Sequence, residues 1–118
     1  MDPNLITMKM RTGESFLLAN DGQFLGKLSL SQYDSESISN PYGPYRSEYS
    51  STSIYNKYGN YGSPYSSLSP FNPYTSTPPA IYLRGQFVGY LSKNQYLGTN
   101  VIDPQYLIFW MKEKNLNY

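Results

Sequence analysis

The middle of the chain repeats itself with a step of sixteen residues: Tyr33-Asp-Ser-Glu-Ser-Ile-Ser-Asn40, then Tyr49-Ser-Ser-Thr-Ser-Ile-Tyr-Asn56, then Tyr65-Ser-Ser-Leu-Ser-Pro-Phe-Asn72. Linkers seldom hold tyrosine, serine and asparagine in one phase across three copies, whereas units that stack or reuse one local conformation do so routinely. From Ser31 to Pro79 the only Leu, Ile, Val or Met residues are Ile38, Ile54 and Leu68. Such a segment cannot build an aliphatic core alone and must lean on what flanks it.

Turn chemistry closes each copy, at Asn40-Pro41-Tyr42-Gly43, Asn56-Lys57-Tyr58-Gly59 and Asn72-Pro73-Tyr74-Thr75. Asn bonds its own backbone, Pro sets φ and Gly releases it, so each copy is expected to reverse the chain once. The stretches Ser35–Ile38 and Ser51–Ile54 fit a capped 3₁₀ turn with its Ile pointing inward, Leu68 occupying a nearby place in the third copy. A disordered, self-associating low-complexity segment is the competing reading.

The flanks carry the apolar residues. Phe16 to Ala19, the turn Asn20-Asp21-Gly22 and Gln23 to Leu28 read as a β-hairpin, since Asp-Gly supplies positive φ at little cost. A second hairpin follows at Ala80 to Leu83, Arg84-Gly85 and Gln86 to Ser92. Gly22-Gln-Phe-Leu-Gly-Lys-Leu-Ser29 and Gly85-Gln-Phe-Val-Gly-Tyr-Leu-Ser92 agree at six of eight positions, which suggests two equivalent units. Gly26 and Gly89 sit on a strand face where bare backbone would admit a large ring from the facing hairpin or a ligand. Leu5 to Met10 alternates weakly and reads as an opening strand. At the other end, Asp103 as N-cap, Pro104 at the first helical position and lysines in the last turn predict a short helix over 103–115, with Leu107, Trp110 and Met111 packed on the core. A buried strand from Tyr106 to Met111 is the alternative there.

The order Gly-x-Phe-x-Gly-x-Leu-Ser, tandem Ser-Ile-x-Asn-Pro-Tyr-Gly units, then a second Gly-x-Phe-x-Gly-x-Leu-Ser resembles a group of uncharacterised bacterial proteins built from Asn-Pro-Tyr-Gly repeats. The matching residues run from about Gly22 to Tyr96. The resemblance implies an ordered repeat and carries no activity over. Against that pattern, Ser50-Ser51 and Ser66-Ser67 stand for Asp-Pro, Lys57 for Pro, and Arg46 where Gly62 keeps the glycine.

Residue usage narrows the chemistry. The chain has no cysteine and no histidine, so disulfides, thiolate chemistry and the commonest general base and metal ligand are missing. Nine basic and eight acidic side chains are scattered to a net charge of +1, and across the repeat only Arg46 and Lys57 are positive, which disfavours nucleic acid. No Ser-x-x-Lys is present, and Gly59-Asn-Tyr-Gly62 precedes no helix, so neither a serine hydrolase nor a phosphate loop is indicated. Asp34-Ser35-Glu36 offers two carboxylates to a calcium ion without the rest of a ligand set. No apolar run is long enough to cross a membrane, and the chain as given reads as cytoplasmic.

The sequence therefore predicts one mainly β domain: a small antiparallel sheet or open barrel from two pseudo-repeated hairpins, an ordered tyrosine-rich turn repeat between them, and a short C-terminal helix. Its parts are 1–30, the opening strand and first hairpin; 31–79, the repeat; 80–102, the second hairpin; and 103–115, the helix. The expected function is non-enzymatic, with no cofactor and no metal: recognition or assembly through a tyrosine-rich surface. Fourteen tyrosines supply it, with Tyr42, Tyr45, Tyr58, Tyr61 and Tyr74 as contact candidates beside Asn60 and Arg46, and with Tyr49 and Tyr65 buried. A protein is the first partner considered; a carbohydrate-binding module and a self-assembling structural protein, possibly a homo-oligomer, are the alternatives.

Overall fold

The computed structural model describes residues 3–117; Met1, Asp2 and Tyr118 lie outside the described residues. Two hairpins are built as their turn residues require. Strands β1 (Phe16–Leu18) and β2 (Phe24–Lys27) form the first, β3 (Ala80–Leu83) and β4 (Gln86–Leu91) the second. They join edge to edge through an antiparallel β1–β3 pairing that sets Leu17 opposite Ile81. A two-residue strand β5 (Val101–Ile102) adds to β4 in parallel, giving the order β2-β1-β3-β4-β5. The sheet is therefore mixed rather than purely antiparallel. Strand and helix take comparable shares of the chain and most of it is neither, so the description "mainly β" does not hold.

The hairpins also differ more than their shared motif implies. Phe24 is buried, whereas Phe87, its counterpart, is half exposed. A Cβ on Gly26 would meet the ring-bearing Cβ of Tyr45 at 2.8 Å, whereas one on Gly89 would meet the backbone carbonyl of Asn100 at 2.3 Å. The ring against Gly26 thus comes from the turn repeat and not from the facing hairpin.

The expected N-terminal strand is a helix, α1 (Pro3–Arg11). Pro3 is tolerated in a first turn, Lys9 and Arg11 sit where the helix dipole favours cations, and the Thr12 hydroxyl donates back to the Met8 carbonyl at 3.0 Å. Weak alternation over six residues could not separate the two periods; docking does. Lys9 lies 4.6 Å over the Phe24 ring and bridges Glu14 (3.3 Å) and Glu36 (3.4 Å), tying α1 to β2 and to the repeat. At the other end the predicted helix is present. Asp103 accepts the Gln105 amide at 2.9 Å, a 3₁₀ turn spans Pro104–Tyr106, and α2 (Leu107–Glu113) buries Leu107 and Met111 with Trp110 packed beside them.

Between the hairpins the backbone winds through consecutive hydrogen-bonded turns. Amides of Ser50, Ser53, Asn56, Gly59 and Gly62 donate to the carbonyls of Ser47, Ser50, Ser53, Asn56 and Gly59, and Ser63 also reaches Gly59. Four steps of three residues and one of four make the sixteen-residue period, so each copy turns five times and not once. Ile38, Ile54 and Pro70 stand sixteen apart on the inner side and are buried; Pro70, not Leu68, fills the third place. Together with Leu17, Leu25, Leu28, Ile81, Leu91, Leu107 and Met111, the isoleucines close one core.

Two outcomes check this packing. Gly26 has φ +117°, and an added methyl would drive into Tyr45, so Gly26→Ala should cost on the order of 1–3 kcal/mol in urea unfolding. Amide exchange from Ser39 through Thr75 should be slowed at the turn-donating residues, and exchange complete within seconds throughout would show that the ladder is absent.

Candidate tyrosine display surface

The ladder depends on short polar side chains at the first position of each turn. In such a turn the side-chain oxygen can accept the amide two residues on, which frees the backbone from needing a strand or helix partner. Asp34, Ser37, Asn40, Ser47, Ser50, Ser53, Asn56, Ser63, Ser66, Ser69, Asn72 and Thr75 all do so, at 2.9 to 3.3 Å. Asn carries a second function. Each of Asn40, Asn56 and Asn72 also donates Nδ2 to the carbonyl six residues back, at 3.2, 3.0 and 3.1 Å, and this double use explains why Asn and not Ser holds that phase. The buried hydroxyls are satisfied too: Ser37 Oγ donates to the Ser29 carbonyl (3.1 Å) and Ser53 Oγ to that of Tyr45 (3.3 Å).

Seven tyrosines ride on these caps. Tyr33, Tyr42, Tyr49, Tyr58, Tyr65, Tyr74 and Tyr96 are each 87–99 % exposed. Each has its own amide held by the residue two before it: Ser31, Asn40, Ser47, Asn56, Ser63, Asn72 and Asn94, at 2.9 to 3.3 Å. Six of them fall into two series sixteen residues apart, Tyr33/49/65 and Tyr42/58/74. Tyr49 and Tyr65, expected inside, are therefore outside.

Tyr45 and Tyr61 go the other way. Both stand at the third position of the fifth turn of a copy, which opens on Gly43 or Gly59 and so has no capping side chain, and both lie over the first hairpin. Tyr45 meets Phe24 edge-on with centroids 5.0 Å apart, and burial pushes its phenol pKa up. Tyr61 donates to Asp21 Oδ2 at 2.7 Å, and burial, then Asp21, push it up to about 12. Asn60, next to it, is exposed and offers its carbonyl to the Ser66 hydroxyl.

Arg46 lays its guanidinium over the Tyr55 ring, 4.4 Å from the centroid. The two line a groove of about 650 Å³ together with Tyr42, Tyr49, Ser47 and Glu48. The acidic side chains considered for chemistry are drawn into local bonds. Asp34 holds the Glu36 amide at 2.9 Å and Lys27 at 3.0 Å, and those two contacts, in that order, lower its pKa. Glu14 and Glu36 share Lys9, and Asp103 meets Lys93 at 3.1 Å. Among the described residues no three His, Cys, Asp or Glu side chains gather as a metal site, and no helix is long and apolar enough to cross a membrane. No family model, curated protein or solved structure matches the chain.

The Tyr61–Asp21 bond sets a pH dependence. Because the folded pKa lies above the ordinary value near 10, the unfolded chain loses this proton first; the contribution is complete below about pH 10 and is lost as pH rises toward about 12. Denaturation midpoints should therefore fall more steeply over that window in the wild type than in Tyr61→Phe. Parallel slopes would detach this phenol from alkaline unfolding.

Proposed function

We propose that this chain is a non-enzymatic recognition or assembly module that captures a macromolecular partner through the displayed tyrosines of its repeat. The observation that carries the reading is that seven fully exposed rings each stand on a backbone amide already bonded by its own cap. An exposed tyrosine exposes apolar area to water, which a fold without a use for it has no reason to repeat. Anchored at Cα and with two side-chain torsions left to order, it offers a large contact for a small entropy loss. Tyr42, Tyr58 and Tyr74 stay in the proposed contact set. Tyr45 and Tyr61 leave it for the hairpin, and Tyr33, Tyr49, Tyr65 and Tyr96 enter.

The test replaces Tyr33, Tyr42, Tyr49, Tyr58, Tyr65 and Tyr74 by Ala together and compares the variant with wild type, both immobilised, in capture from total cell extract and envelope fractions. Since none of these rings packs in the core, the melting temperature should change little while capture is lost. Equal capture by both, or collapse of the variant's fold, would refute the display role.

A further inference from the structure

The copies of the repeat differ at one position that changes their surface chemistry. Gly62 closes the second copy so tightly that a Cβ there would lie 2.2 Å from the Asn56 carbonyl oxygen; sixteen residues earlier stands Arg46. Its guanidinium is stacked on Tyr55 and, among the described residues, forms no ion pair with a carboxylate. The half-buried Tyr55 and Arg46 line the 650 Å³ groove together with the exposed Tyr42 and Tyr49. Glu48 stands on the same groove and, by hydrogen bonding and by its charge, pushes the Tyr49 phenol up in pKa.

We propose that this groove binds a pyranose ring of a neutral polysaccharide, a refinement that rests on the display reading above. A sugar ring has an apolar C–H face, which suits the face of a phenol, and a rim of hydroxyls that need donors and acceptors together. Arg46 supplies a planar fork of N–H donors, Glu48 supplies acceptors, and the phenols do either. Stacking on Tyr55 holds the fork in place before the ligand arrives, which cuts the ordering cost of binding. The charges of Arg46 and Glu48 cancel and the chain carries only +1, so nothing draws in a polyanion. A polymer is indicated because Tyr58, Tyr65 and Tyr74 continue the same two series, and a ligand that itself repeats can use a surface that repeats.

The experiment is affinity electrophoresis of the full chain through gels containing soluble β-glucan, xylan, mannan or galactan, with sedimentation on insoluble cellulose and chitin. At least one polysaccharide should retain the wild type, with Arg46→Ala and Tyr42→Ala/Tyr49→Ala each weakening retention about tenfold or more. Arg46→Lys should recover little, because an ammonium lacks the planar fork. Tyr42 and Tyr49 lie outside the core, so their double variant keeps the test valid should Arg46→Ala unfold. Retention unaltered by either variant, or no retention by any polysaccharide, overturns the assignment. In the latter case, a protein captured by wild type and lost from the all-alanine array, or self-association lost from it, would leave the display reading standing without the sugar. Identical capture by wild type and array would remove both.

Discussion

A side-chain oxygen accepting the amide two residues ahead is the bond on which the rest of this molecule depends. A segment of nearly fifty residues with three aliphatic side chains cannot hide its backbone, and it has no neighbouring strand to pair with along most of its length. Serine, asparagine, aspartate and threonine opening all but the glycine turns give those amides partners without leaving the local chain. The bond is modest singly, about 0.5–1.5 kcal/mol net, but its repetition keeps the whole stretch in register. Once the register holds, the positions facing in and out follow from it.

Inside, the residue after the buried serine of each copy is Ile38, Ile54 or Pro70; all three are buried, and the two isoleucines join the sheet and α2 in one core. Outside, the tyrosines follow the first and fourth caps. In the first two copies the fifth turn has glycine in place of a cap and sits over the first hairpin, where Tyr45 fills the space left by Gly26 and Tyr61 reaches Asp21. The same residue type thus serves as core, strut and display according to its phase in the sixteen. That division also joins stability to the proposed recognition: the displayed rings are carried by a scaffold that makes no use of them.

A period of three is present within the sixteen, but Ser, Asp, Asn and Gly look unlike one another until their shared ability to open a turn is taken together. With that in view, Ser47, Ser50, Ser53, Asn56 and Gly59 form one series, and the tyrosines after its first and fourth members face outward. Reading Tyr49 and Tyr65 as buried followed from treating the repeat as one reversal per copy. Reading Leu5 to Met10 as a strand followed from six residues whose alternation also fits a helix, and nothing nearby in sequence reports that Lys9 will meet Phe24 and Glu36.

Local chemistry is what the residue order settled: both hairpins, the Asp103-Pro104 helix start, the capped turns and the sixteen-residue phase all rest on bonds spanning a few residues. Long-range neighbours settled the rest. Which phenols are covered depends on the first hairpin lying under the fifth turns, β5 exists because β4 offers it an edge, and Arg46 finds Tyr55 nine residues away only through the winding of the ladder. Turn preference is a property of adjacent side chains and backbone, whereas burial is a property of what the folded chain brings up against them.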